Sequence, residues 1–147
     1  MMNRRLTTHL IIAIALLAGV WGAQASAQPK AAAPAAAAAG PVGFKRTELQ
    51  RHDIGQPNHE AVQTKGEFEP GAVVPKHTHP GEEVGFIASG ELTVDVEGKP
   101  TQTLKSGEVF FIPAGTVHSA KNLSKAPTVV ISTYIIEKGK PLAAMVK

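Results

Sequence analysis

The chain has no cysteine. That excludes disulfides, thiolate metal sites, a cysteine nucleophile and any lipid anchor built on an N-terminal cysteine, so packing, backbone pairing or a metal must stabilise the fold. It also lacks a run of about 20 apolar residues of the kind that spans a bilayer; the stretch Leu10 to Trp21 falls short of it. No internal repeat of useful period is present, and beyond the N-terminal region no long amphipathic helical stretch appears. A large excess of one charge is missing as well. Without Arg4 and Arg5 the chain carries 13 basic against 12 acidic residues, a balance that argues against nucleic acid as partner. A length of 147 residues, 43% of them hydrophobic, suits one ordinary domain and is too short for two.

What is present starts with the layout of a secretory signal peptide over residues 1–27: Arg4 and Arg5, the apolar run, then small residues at Ala23, Ala25 and Ala27. Cleavage after Ala27 is expected, which leaves no stable membrane anchor and an exported protein, periplasmic or secreted. Thr7 and Thr8 stand where a twin-arginine signal usually carries an apolar residue, so the general route is favoured. Residues 28–43 are dominated by alanine, proline and glycine; Pro29, Pro34 and Pro41 interrupt any helix, and the segment reads as a flexible linker. The folded domain is expected over residues 44–147.

That domain reads as strands. Val62 to Glu69, Val84 to Ala88, Leu92 to Glu97, Val109 to Ile112, Val117 to Asn122 and Thr128 to Glu137 are short segments, several rich in β-branched or aromatic residues. Turn formers bound them at Pro70-Gly71, Pro80-Gly81, Ser89-Gly90, Gly98-Lys99-Pro100, Ser106-Gly107 and Pro113-Ala114-Gly115. Short strands punctuated about every ten residues indicate an all-β sandwich or barrel.

Within this frame three histidines and a glutamate stand out. His77 and His79 are two apart, so on one strand both side chains point to one face, roughly 6 to 7 Å apart at their origins. Pro80-Gly81 turns the chain, and Glu83 is expected on a neighbouring strand returning about 4.8 Å away. Glu82 faces the opposite way. His118 closes the set from a later strand entered by Pro113-Ala114-Gly115. Three imidazoles and a carboxylate make a mixed nitrogen and oxygen set for one divalent ion; Mn²⁺ or Fe²⁺ is favoured, and Ni²⁺, Zn²⁺ and Cu²⁺ are admitted. Set alone, a His-x-His pair is more often a core or surface feature than a metal site. His52 and His59 lack such context and read as surface or loop residues.

The run Gly71-x5-His77-x-His79-x3-Glu83-x6-Gly90 resembles the first motif of the cupin superfamily over its whole length. Gly107-x5-Pro113-x-Gly115-x2-His118-x3-Asn122 resembles the second, and the 16 residues between Gly90 and Gly107 are a spacing typical of compact microbial members. The resemblance implies a single jelly-roll β-barrel with a metal inside one end. It implies no single reaction, because cupins include dioxygenases, isomerases, decarboxylases, binding proteins and storage proteins.

Beside the metal set, Asn122 is read as serving the backbone, and the missing side chain at Gly85 is expected to leave room near the ion. Phe86, Phe110 and Phe111 are read as core. Tyr134 and Ser132 are the only candidates for a separate acid or base, each read as structural. Since redox chemistry at a metal needs no such group, a dioxygenase-like oxidoreductase acting on a small molecule ranks first. The alternative is a metal-dependent module that binds a small ligand without turnover. A homodimer is expected, because small barrels leave edge strands to cover.

Overall fold

The structure, a computed structural model, describes residues 40–147. The expected signal peptide and residues 28–39 of the expected linker lie outside the described residues. Nine strands make up the described part: β1 (Val42–Asp53), β2 (His59–Thr78), β3 (Glu82–Ser89), β4 (Glu91–Val96), β5 (Gln102–Lys105), β6 (Val109–Ile112), β7 (His118–Lys121), β8 (Thr128–Glu137) and β9 (Ala144–Met145). All pairings are antiparallel, in the order β5-β4-β7-β2-β8-β3-β6, with β1 and β9 each laid against β2. The sheet curls into a nearly closed barrel of jelly-roll type.

Alternation sets the inside. Along β2, Glu60, Val62, Thr64, Gly66 and Phe68 are buried, and along β8 Thr128, Val130, Ser132, Tyr134 and Ile136 are, with half-buried residues between them. One apolar cluster gathers Phe68, Ala72, Val74, Ile87, Leu92, Val94, Leu104, Ile112 and Val130. A smaller one holds Val62, Tyr134 and Ile136, with Leu142 packed on it. Each fully buried aliphatic side chain of this size contributes about 1.5 to 3 kcal/mol.

Four expectations are corrected here. Pro70-Gly71 is not a turn between strands: β2 continues through it, and Gly71 takes φ of 80°, open to glycine at little cost. The irregularity lets β2 pair with β1 and β8 before it and with β7 after it. β3 does not return beside β2. Its neighbours are β8 and β6, so β8 stands between the histidine strand and the glutamate strand. Phe86 and Phe111 are not core but 44% and 52% exposed, because inward parity on β3 belongs to Glu83, Gly85 and Ile87. Finally, the space at Gly85 is not vacant: a Cβ there would lie 2.0 Å from Phe110 Cζ, so that ring already occupies it.

Candidate metal centre

β2 carries His77 near its end, and His79 follows directly after the strand. Both are buried, as alternation about the intervening Thr78 requires. β7 opens on His118, which is the register partner of His77 across the β2–β7 ladder. The Pro113-Ala114-Gly115 turn that delivers His118 is tied to the other histidine, since the Gly115 amide donates to the His79 carbonyl at 2.9 Å. Glu83 sits on β3 opposite Tyr134 of β8. It reaches the histidines across the barrel interior, not along a ladder. The structure thus brings all four expected residues together, each no more than 6% exposed.

Hydrogen bonding fixes which nitrogen each ring presents. His77 Nδ1 donates to the Pro75 carbonyl at 2.7 Å, His118 Nδ1 to the Thr116 carbonyl at 2.9 Å, and His79 Nδ1 to the Leu142 carbonyl. A carbonyl oxygen only accepts, so all three protons sit on Nδ1 and each neutral ring offers a lone pair at Nε2. One ligating nitrogen from each ring lies within 4.8 Å of the others. Glu83 Oε2 is 3.1 Å from His79 Nε2 and 3.5 Å from His118 Nε2. Yet both nitrogens are buried without a hydrogen-bond partner. Lone pairs facing a carboxylate are mutually repulsive, and only a proton or a cation between them removes the conflict. The donor set therefore fits a divalent ion.

The electrostatics agree. His77 is pushed down to about 4, first by burial and then by the charge His118 would carry, so it is neutral and open to a metal near pH 7. Burial alone would raise Glu83; a proton on the facing nitrogen of His118 or His79, in the place a cation would take, outweighs it and holds the carboxyl well below the usual carboxylate range. The Tyr134 hydroxyl donates to Glu83 Oε1 at 3.0 Å, and its ring lies 4.7 Å from that of His79. Burial first, then the Glu83 charge, push that phenol well above its ordinary value; the Arg46 guanidinium opposes them.

Other expectations take their places around this cluster. Glu82 points away from it, His52 is exposed, and His59 is half-buried at the start of β2. Asn122 serves the backbone: its Nδ2 donates to the Phe68 and Ala126 carbonyls at 3.1 and 2.8 Å, and its Oδ1 accepts from the Ser124 amide at 3.0 Å. Tyr134 and Ser132 both face inward. A cavity of about 290 Å³ opens on the cluster, lined by His77, Glu83, His118, Ser132 and Tyr134 and by apolar residues including Phe68, Leu92 and Val130. The sequence reading missed two contributors. Arg46 of β1 lines the cavity, and Leu142 holds His79. Their signal in the sequence is weak, since neither lies in a motif.

Comparison with known proteins agrees with this architecture. A family model described as a cupin domain matches residues 65–134. Germin-like protein subfamily 2 member 2 of Arabidopsis thaliana is 41% identical over 73 residues, covering 46% of this chain and 33% of its own length. Nectarin-1 of Nicotiana plumbaginifolia is 37% identical over 73 residues, with 46% and 32% covered. This chain thus spans about a third of the length of these relatives. Among solved structures, an oxalate oxidase in complex with the substrate analogue glycolate superimposes with a TM-score of 0.58 at 25% identity, covering 71% of this chain and 55% of that one. A cupin-like protein from Thermotoga maritima gives a TM-score of 0.58 at 26% identity, with 72% and 78% covered. A nearly closed antiparallel barrel with three converging buried imidazoles defines a class of metal-binding β-barrel. The chain belongs to the cupin superfamily.

Proposed function

We propose that His77, His79, Glu83 and His118 hold one divalent ion, Mn²⁺ or Fe²⁺ before Ni²⁺, Zn²⁺ or Cu²⁺, and that the protein is a dioxygenase-like oxidoreductase acting on a small molecule. The observation that carries the metal assignment is the conflict of lone pairs: three Nδ1–H groups are spent on carbonyls, leaving Nε2 atoms beside an ionised carboxylate. An ion held there supplies Lewis acidity and, where redox-active, an electron route to dioxygen. The chain's own residues do the rest. The three carbonyl locks fix the rings, Tyr134 orients Glu83, and Phe68, Leu92, Val94 and Val130 line a largely apolar cavity that limits water. The oxalate oxidase likeness supports including oxalate and glycolate among the small acids and phenols to be screened.

A second reading, a metal-dependent binding module without turnover, is favoured by one observation. The only buried phenol at the site is committed to Glu83 and leaves no free acid or base among the residues that line the cavity apart from the histidines and Ser132. Metal analysis of purified protein followed by oxygen-uptake measurements separates the two. Oxygen consumption that vanishes in His77→Ala, with the barrel still folded, supports the enzyme; a tightly held metal with no turnover across the screen replaces it with the binding module. Protein from metal-replete medium that holds no ion and takes none on titration overturns both. Export is inferred from Arg4, Arg5, the apolar run and the alanines up to Ala27. An intact mass starting near Gln28 in protein from the native cell is expected, and a full-length cytosolic species as the main form would refute it.

A further inference from the structure

The cavity contains one charged side chain that the metal set does not use. Arg46 lies on β1 opposite Gly66 of β2, and directly paired residues point to the same side of a sheet. Gly66 belongs to the inward series of β2, and the space over it is taken by the Phe44 and Phe68 rings, 3.1 and 3.3 Å from where a Cβ would lie, so the exposed Arg46 reaches the cavity at its open edge. Phe44, two residues earlier on β1, packs its ring 4.6 Å from that of Phe68 on the same side. Arg46 thereby comes to line the cavity beside His77, Glu83 and His118, as its only lysine or arginine among the described residues.

Nothing among the described residues neutralises it. Arg46 makes no ion pair or side-chain hydrogen bond there. Glu48, the acid on the same face two residues on, accepts from Arg51 with both oxygens, at 3.1 and 2.9 Å. Glu60, the next acid inward, is also paired to Arg51. Glu83 is engaged by Tyr134 and the histidines. A solvent-reachable guanidinium costs little to keep charged, and its planar fork matches a carboxylate in bidentate fashion.

We infer that Arg46 selects an anionic ligand: it seats a carboxylate of a small acid whose other end faces the three imidazoles and Glu83. The inference rests on the proposed metal site for that second anchor. The cavity volume, about 290 Å³, lies at the small end of ligand pockets and suits a compact acid over an extended or polymeric one. Its apolar wall accepts a short carbon body between the two polar ends.

The test uses full-length wild type, R46Q and R46K loaded with Mn²⁺, with metal content measured on each sample. Malonate, succinate and glutarate are titrated calorimetrically against their monoamides, which keep size and one carboxylate but remove the second charge. At least one diacid is expected to bind wild type about tenfold or more tightly than its monoamide, the worth of one charge-assisted bond, with that ratio falling to about twofold or less in R46Q. R46K should lie between, and metal content should not change, because Arg46 touches no ligand. An unchanged ratio in R46Q, or no preference for any diacid in wild type, overturns the inference. Failure of the metal reading looks different. Protein that takes up no Mn²⁺ yet keeps an Arg46-dependent preference refutes the metal site and leaves the anion site standing; Mn²⁺-loaded protein without the preference does the reverse.

Discussion

Glu83 is the only acid among the described residues that line the cavity, and it stands opposite three imidazole rings. Replacing it with glutamine keeps the shape and removes the charge. A harder ion such as Mn²⁺ or Fe²⁺ depends on that oxygen more than Ni²⁺, Zn²⁺ or Cu²⁺ does. In a mixture of these metals, Glu83→Gln should therefore shift the bound population toward the imidazole-preferring ions and not merely lower occupancy. Equal losses for all of them would contradict the role given to Glu83. His77 supplies a pH prediction for the metal-free protein. The unfolded chain takes up this proton near 6.5, whereas the folded chain waits until about 4. Between those values the unfolded state binds more protons, so stability falls as pH drops, by at most about 1.4 kcal/mol per pH unit for one group. Denaturant midpoints between pH 7 and 4 should show the slope, and His77→Gln should flatten it.

At the scale of single elements, β3 and β6 show how tightly one strand can dictate another. The Phe110 ring fills the space a Gly85 side chain would take, so Gly85→Ala should destabilise the barrel by about 1 to 3 kcal/mol, the usual cost of overpacking. Phe110→Leu in the same chain should recover part of that loss, and thermal melts of the single and double variants would check it. Much of the architecture was legible because turn residues and alternation report strands directly: β3, β4, β6, β7 and β8 lie close to where composition puts them. What was hidden follows from physics that spacing does not express. β1 is exposed along nearly its whole length, so it lacks the apolar alternation that marks a half-buried strand, and β5 and β9 are too short to show a period. Pro70-Gly71 reads as a turn in any sequence, but here the ladders on both sides of it keep one strand continuous. The grouping of the four candidate ligands was legible because they fall in two motifs. Arg46 and Leu142 were not, since a cavity lining and a carbonyl lock depend on pairing partners far away in the chain.

Across the whole molecule, one surface departs from the rest. Val84 faces Phe111, and Phe86 faces Val109, on the outer side of β3 and β6, and all four are exposed. β6 ends the strand order among the described residues, which give its outer edge no partner strand beside the apolar residues. An edge of this kind can meet itself about a twofold axis, which covers both the apolar side chains and the backbone groups at once. A homodimer joined there is expected at micromolar concentration. Phe111→Ser together with Val109→Lys should shift sedimentation toward the monomer without lowering metal content. A monomeric wild type would refute the pairing.

The carbonyl that fixes His79 belongs to Leu142, 63 residues away in sequence. The same short segment returns to the histidine strand, where β9 pairs with His77 and Thr78 and the Val146 amide donates to the Lys76 carbonyl at 2.9 Å. Ala143 and Met145 form part of the cavity lining. Residues 142–146 thus lie as a clasp against the histidines, and if the proposed ion binds there, clasp closure and ion loading must be reciprocally linked: whatever steadies one steadies the other by the same free energy. Hydrogen exchange at the Val146 amide should slow on metal addition. Leu142→Gly, which loosens the clasp while leaving its carbonyl in place, should weaken metal affinity in a calorimetric titration and speed Val146 exchange in the metal-free protein.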